Sequence, residues 1–486
     1  MSAEASGSAG PAEAEVEAGD CLKRLTTGNR ELDDILGGGF LENSINVLMG
    51  EPGSGKTILA EELIFANAAA GDADEQRPIL YLTTLSEPLD KVIKYLQQFQ
   101  FFDAARMGSA IVYESIGIEL AEEGVAALLP RIKDAIKTMS PRILVIDSFR
   151  AIHDLATSTQ EMRRILYEVG GLLTAYDTTV LLVGEYRHED IDRYPEFAVA
   201  DGIVELARNA LGTRDERYLR VLKLRGSSYR QGTHAFDITA AGLQVYPRLV
   251  SPVAAASYDA ALSRVPSGIP GLDPMLAGGL WAGSATLLAG PTGSGKTTAG
   301  IQFIVEGLRL GERCLLVNFQ ENPTQLARQI EGISGRLDDG TRPRLDLLYY
   351  SAVELAIDRI VVSIFQMLSR KAIRRVVIDA LGDLAIAAAD STRMHNYLYA
   401  LVQHFAVMGV TSLLTLETDP PIMASDETQG RLSHMADNII FLGIEVRDRV
   451  VGRTLRIAKA RNVAHDLQAR NLQIDSQGLR VIQDGR

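Results

Sequence analysis

Two eight-residue stretches, GEPGSGKT at 50–57 and GPTGSGKT at 290–297, fit the pattern G-x-x-x-x-G-K-[ST]. That spacing suits a triphosphate. Its glycines let successive backbone N–H groups turn inward around phosphate oxygens, and the following helix adds the positive end of its dipole. The first cradle comprises Gly50, Gly53, Ser54, Gly55, Lys56 and Thr57; the second comprises Gly290, Gly293, Ser294, Gly295, Lys296 and Thr297. Lys56 and Lys296 are placed to reach β- and γ-phosphates, and Thr57 and Thr297 to offer a hydroxyl to Mg²⁺. Downstream, RILVIDS (142–148) and RVVIDAL (375–381) end apolar runs on Asp147 and Asp379, where a Walker B acid belongs.

The elements that must hold these residues are legible around them. INVLMG and ATLLAG are short buried strands ahead of each loop, and ILAEELIFANAAA and AGIQFIVEGLRL carry helical apolar spacing behind it. The repeat extends beyond the loops. GNRELDDILGGGF (28–40) returns as GIPGLDPMLAGGL (268–280), so that Gly28 and Gly268, like Lys56 and Lys296, stand 240 positions apart. LLVGE (181–185) returns as LLTLE (413–417), and KLRG (223–226) as KARN (459–462). Strands are expected near 44–50, 79–84, 142–147, 178–185, 202–208 and 217–225, with helices near 56–70, 87–99, 121–138 and 159–176. In the second half strands are expected near 284–290, 313–319, 345–350, 374–379, 410–417, 438–446 and 453–460. This alternation predicts an α/β fold: two tandem domains, each a mostly parallel sheet flanked by helices with antiparallel additions at one edge. Ligand is expected at the strand C-termini. The expected division is 1–20 as a disordered acidic tail, 21–248 as the first domain and 249–486 as the second, with the linker-like stretch Pro247–Pro266 between them.

Composition narrows the function. With 46% hydrophobic and 23% charged residues, the 486-residue chain reads as ordinary globular protein large enough for two cores. No apolar run approaches the roughly 18 residues needed to cross a bilayer, and the opening lacks a cationic-then-apolar leader, so the expected place is the cytoplasm. The net charge of −13 argues against attraction of nucleic acid to the whole surface. Arginine-rich segments at 208–230 and 447–461 remain, and they suit a neighbour's triphosphate at least as well as a polynucleotide. Cys21 and Cys314 fall in different domains and read as reduced and structural. The histidines do not repeat at metal-ligand spacing, so ATP and Mg²⁺ are the only cofactors expected. Trp281 reads as packed beside the second cradle's strand.

Paired GLD-like and GGG-like lead-ins, tandem phosphate loops, the KLRG strand and the closing GLQVYP and GLRVI segments make the chain resemble KaiC, the RecA-superfamily ATPase and autokinase of cyanobacterial clocks, and its non-clock relatives. The resemblance runs from about Cys21 onward and implies RecA-like domains in a double-ringed homohexamer, with ATP lodged between neighbouring subunits. It also implies that Lys223 and Arg225 in one ring, and Lys459 and Arg461 in the other, act in trans on a neighbour's γ-phosphate. His465 matches a family histidine on the nucleotide side. From the residues alone, KLRG is equally an edge strand with solvated basic side chains.

Departures from the family pattern matter too. Two adjacent glutamates usually follow the strand after the phosphate-loop helix, where a carboxylate accepts a proton. Here Leu85 and Ser86 take those places in the first domain. Glu87 stands one position late, before Pro88, and reads as a first-turn dipole partner or as a displaced catalyst. The second domain has Gln320 and Glu321, of which the glutamine can orient a nucleophile but cannot take its proton. The family's phosphoacceptor stretch corresponds to GRLSHMADNIIFL (430–442), aligning Ser433 with the serine and His434 with the threonine, while Thr428 matches another family threonine nearby. The chain ends soon after GLRVI, so no peptide for KaiA is expected. The expected function is slow ATP hydrolysis, with serine autokinase activity in the second domain, serving an unnamed signalling partner. A nearly inactive nucleotide-dependent scaffold and a DNA-dependent RecA- or DnaB-type motor are the alternatives.

Overall fold

A computed structural model describes residues 22–69, 77–84, 89–156, 158–211, 214–252, 263–334, 344–351, 356–388, 390–418, 434–447 and 450–482. Leu85, Ser86, Glu87, Thr428 and Ser433, with Cys21 and the tail at 1–20, lie outside those residues. The chain divides into two compact units, Met1–Asn209 with Arg217–Val245, and Ala210–Glu216 with Tyr246–Arg486.

Each unit is built on one nine-stranded sheet. In the first, the strands run side by side in the order Ile111–Ser115, Ile79–Thr83, Ile143–Asp147, Thr179–Glu185, Ile45–Gly50, Gly202–Leu211, Arg214–Leu224, Thr233–Thr239 and Gly242–Tyr246. The first six are parallel. The second unit repeats the order with Leu345–Tyr349, Arg313–Asn318, Ile373–Asp379, Thr411–Glu417, Ala285–Gly290, Asn438–Arg447, Val450–Ala460, Arg470–Asp475 and Gly478–Ile482. Six parallel strands are again followed by antiparallel additions. The phosphate-loop strand sits inside the parallel part of both sheets.

Side-chain alternation explains why these strands read as unbroken apolar runs. Val47 and Met49 point into one core and Leu48 into the core on the opposite face. Leu287 and Leu288 do the same in the second unit. A strand covered on both faces needs apolar residues at every position. The helix Lys56–Ala69 lies on the face shared with Leu48, Tyr81 and Val145, and it is apolar almost all round because it is buried.

The expected alternation is present, with local differences, among them the strands Thr233–Thr239 and Arg470–Asp475 beyond the expected ranges. The strand Ile111–Ser115 was not anticipated: it forms the sheet edge, only Ile111 is fully buried, and its remaining residues give no apolar run. The helix expected over 121–138 is broken into Gly117–Glu123, a short 3₁₀ turn and Leu128–Met139. Gly124, at φ +68, separates the pieces. The helix expected near 87–99 is described over Leu89–Leu96.

Candidate functional site

Both loops turn from strand to helix with the expected glycines in left-handed conformations that a side chain would strain. Gly53 and Gly55 have φ of +74 and +104, and Gly293 and Gly295 have +78 and +104. The positions differ in what they require. A Cβ on Gly53 or Gly293 would meet no protein atom within 4 Å, so these glycines border open space where a ligand can approach the backbone. A Cβ on Gly295 would come within 2.7 Å of Ile474 and 3.1 Å of Leu479, and one on Gly55 within 3.1 Å of Ile238. The closing hairpin of each unit therefore packs against its own cradle. Gly50 and Gly290 lie so close to the next strand that a Cβ would meet the carbonyl oxygens of Leu206 and Leu442.

The polar groups converge inside this backbone. Lys56 Nζ donates to Glu51 O at 2.9 Å, and Lys296 Nζ donates to Gly290 O and Pro291 O at 2.9 and 3.0 Å. Burial lowers the pKa of both ammonium groups, opposed by Glu185 and Asp147 around Lys56 and by Glu417 and Asp379 around Lys296. Thr57 Oγ1 donates to Asp147 Oδ2 at 2.9 Å, and Thr297 Oγ1 to Asp379 Oδ2 at 2.8 Å. These two pairs join hydroxyl and carboxylate as a magnesium site needs. Ser54 Oγ and Ser294 Oγ are buried without a hydrogen-bond partner among the described residues. Those hydroxyls lie against Gly50 and Gly290 inside the turn, and it is the open backbone at Gly53 and Gly293, with the lysine beside it, that fits a bound phosphate at both loops.

The two aspartates are held differently. Tyr81 OH donates to Asp147 Oδ2 at 2.9 Å, and Tyr113, stacked on Tyr81, donates to Glu61 Oε2 at 2.7 Å. Burial raises the Glu61 pKa to about 8. Burial also raises that of Asp147, opposed by its hydrogen bonds from Thr57 and Tyr81. In the second unit Thr415 donates to Asp379 instead, and Thr292 to Glu417. Sequence reading missed Tyr81, Tyr113 and Glu61 as a group. The available signal was a glutamate four positions after Thr57, on the same face of a helix otherwise suited to burial.

At the same strand ends of the second unit, Gln320 Nε2 donates to Asp383 Oδ2 at 3.0 Å. Glu321 Oε1 accepts from Gln329 Nε2 at 2.9 Å, while its Oε2 is buried with no hydrogen-bond partner among the described residues.

The four cations of the KLRG-type strands lie elsewhere. Arg225 Nη1 donates to Asp201 Oδ1 at 3.2 Å, and the other oxygen of Asp201 accepts from the backbone N–H of Ile45 at 3.0 Å. Arg461 Nη1 donates to Asp437 Oδ1 at 3.4 Å, and Asp437 Oδ2 accepts from the N–H of Ala285 at 3.0 Å. Lys223 Nζ rests on the carbonyls of Phe197 and Ala198 at 3.4 Å, and Lys459 Nζ on that of Ala436 at 2.7 Å. Burial lowers the pKa of both lysines, and the adjacent Arg225 or Arg461 lowers it further. Each pair is tied to the first residue of its phosphate-loop strand, whereas the loop leaves from the last. Five residue steps at strand rise separate the two ends by about 16 Å. Asp201 and Asp437 join these ends across long sequence distances and were not singled out from the sequence. His465 Nδ1 lies 3.4 Å from Val463 O, and its Nε2 is buried without a hydrogen-bond partner among the described residues.

Fold and site together define a tandem P-loop ATP-binding protein, with one cradle in each of two RecA-like sheets. The model of the family described as "ATPase: KaiC" matches residues 25–250 and again 265–486. The chain belongs to the KaiC family of ATPases. It is 27% identical over 468 residues to the circadian clock oscillator protein KaiC of Rippkaea orientalis, covering 94% of this chain and 88% of that relative. It is 27% identical to the KaiC of a Picosynechococcus species over 95% of this chain and 90% of that protein. For the KaiC of Synechococcus elongatus the figures are 26%, 94% and 88%. No helix among the described residues is long and apolar enough to cross a membrane.

Proposed function

We propose that the chain is an ATP-dependent cytoplasmic regulator that assembles with itself into a double-ringed hexamer, hydrolyses ATP slowly and phosphorylates a serine of its own second domain. One observation carries the assembly. The duplicated Lys–Arg pairs are anchored about 16 Å from the cradle of their own unit, at the opposite end of the strand. Cations so placed serve a triphosphate held by a neighbour, and a ring supplies one neighbour for every cradle.

Within each site the loop amides and Lys56 or Lys296 bind phosphate oxygens, and Thr57 with Asp147, or Thr297 with Asp379, would hold Mg²⁺. When bound, the ion neutralises charge developing between the β- and γ-phosphates. Arg225 and Arg461 stabilise that charge from the neighbouring protomer. Glu321 is assigned as proton acceptor, because its buried Oε2 is free of hydrogen bonds among the described residues. Gln320 orients the nucleophile. Ser433 is assigned as acceptor, with Thr428 as the secondary candidate. Ser433 directly precedes His434, whose carbonyl accepts from the Arg461 guanidinium at 2.9 Å, so an interface cation is anchored one residue away. An assembly scaffold with negligible turnover is the second reading, favoured by the glutamine at position 320 and its engagement with Asp383.

Incubation with Mg·ATP followed by native mass and peptide mass spectrometry tests the proposal. The expected product is a hexamer bearing phosphate on Ser433, with the modification lost in Glu321→Gln while the hexamer persists. An unmodified hexamer without turnover supports the scaffold instead. A monomer that binds ATP fully, or a chain that takes up none, overturns both.

A further inference from the structure

The second unit contains a cavity of about 530 Å³ whose lining includes Arg264, Ala282, Glu312, Arg374, Arg375 and Thr411. A neighbouring cavity of about 550 Å³ shares Glu312 and Arg374 and adds Arg313 and Arg344. Among the described lining residues five arginines border the pair of cavities against one carboxylate, that of Glu312, and Arg313 is itself paired with Asp346 at 3.9 Å. Their place is the sheet end away from the cradle. Arg374 and Arg375 lie at the start of Ile373–Asp379, four to five residue steps, or about 13–16 Å, from Asp379.

Arg375 is the unusual member. Its side chain is buried in the core, where Nε donates to Glu312 Oε2 at 2.5 Å and Nη1 to Pro266 O and Phe303 O at 2.8 and 3.0 Å. Its Nη2 is buried without a partner among the described residues. A buried cationic N–H left unpaired is costly, and the residue that carries it borders the cavity. Arg374 is exposed and joins no ion pair among the described residues.

The internal repeat allows the same place to be compared in the two units. At the matching place in the first unit, Arg142 Nη2 pairs with Glu42 Oε1 at 2.7 Å and Ile143 is buried beside it. Sheet register places Arg374 opposite Arg142 and Arg375 opposite Ile143, and the 240-residue spacing places Ala282 opposite Glu42. The second unit thus has alanine in place of the acid and a cation in place of Ile143, and Glu312, the acid that Arg375 pairs with, stands where the register puts Arg77 in the first.

We propose that this cavity binds a small phosphate-bearing anion at a site separate from the nucleotide cradles. Guanidinium forks match phosphate oxygens, and the excess of arginine over carboxylate favours a dianion over a single carboxylate. Arg264 also stacks over Trp281, its guanidinium carbon 3.6 Å from the ring centre, and Trp281 is the only tryptophan of the chain. Indole emission therefore provides a local reporter.

The test uses the full-length chain with both cradles disabled by Lys56→Ala and Lys296→Ala. Inorganic phosphate, AMP and acetate are titrated at constant ionic strength, with binding followed by calorimetry and Trp281 emission. Saturable binding of phosphate or AMP is expected, with acetate at least tenfold weaker. Binding of both identifies a free-phosphate site, and binding of AMP alone a nucleotide site. Ala282→Glu, which restores the first unit's ion pair, and Arg374→Ala should each weaken binding at least tenfold without lowering the melting temperature. No saturable binding, an equal response to acetate, or binding unchanged in Ala282→Glu overturns the proposal.

Discussion

At the scale of single residues, the two cradles are equivalent in their loops and unlike behind them. Asp147 rests on a phenol, and Asp379 on a threonine hydroxyl. Removing the phenol in Tyr81→Phe leaves a partly buried carboxylate short of one hydrogen bond, a loss of about 1.5–3 kcal/mol for a bond to a charged group. The expected outcome is weaker magnesium-dependent nucleotide binding in the first unit alone, measured on protein whose second cradle carries Lys296→Ala. Glu61 gives a pH signature. Its pKa in the folded chain is raised to about 8 from an ordinary 4.5, so between those values the folded state holds a proton that the unfolded state has released. Stability attributable to this residue is therefore present at acid pH and declines as pH rises from about 4.5 through 8. Glu61→Gln should flatten that part of the melting-temperature profile, and an unchanged slope would show the carboxyl to be ordinary in the folded protein.

At the scale of elements, the cradle depends on what lies over it. Gly295 needs both its left-handed φ and the absence of a side chain, because Ile474 and Leu479 of the closing hairpin occupy the space a Cβ would take. Gly293 needs only the φ. Gly293→Ala should cost about 1–2 kcal/mol of backbone strain. Gly295→Ala should cost more and should loosen the hairpin, seen as earlier hydrogen exchange across Arg470–Asp475 and Gly478–Ile482. Equal effects of the two substitutions would contradict the packing.

The same distinction marks what could be read from the sequence. The loops and the strand-end aspartates were legible because a few contiguous residues specify each, and the parallel strands because burial on both faces leaves unbroken apolar runs. The edge strand Ile111–Ser115 was not, since one face of an edge is free to be polar. Nor were the Asp201 and Asp437 tethers, or the meeting of Glu61, Tyr81 and Tyr113. Those contacts are made by sheet order, and strands adjacent in space stand far apart in the chain.

At the scale of the whole molecule, the two copies of one domain share the residues proposed to meet a neighbour and differ around the cradle. Asp201 with Arg225 and Asp437 with Arg461 share one geometry, whereas the partners of Asp147 and Asp379 differ. Arg225→Ala combined with Arg461→Ala is expected to reduce ATP turnover by roughly 10³, in the range of lost arginine fingers. ATP binding to the isolated protomer should survive, because neither side chain touches its own loop. Native mass and filter binding check the two halves of that expectation, and full activity in the double variant would remove the interface from the mechanism.

Asp201 spends one oxygen on Arg225 and the other on the N–H of Ile45, the residue at which the strand leading to Gly50 begins. The guanidinium offered outward and the phosphate grip thus form opposite ends of a single rod, pinned at one carboxylate. In the ring proposed above, a pull on the arginine from a neighbouring protomer would act on the very strand that ends at the phosphate grip, and so would couple one nucleotide site to the next.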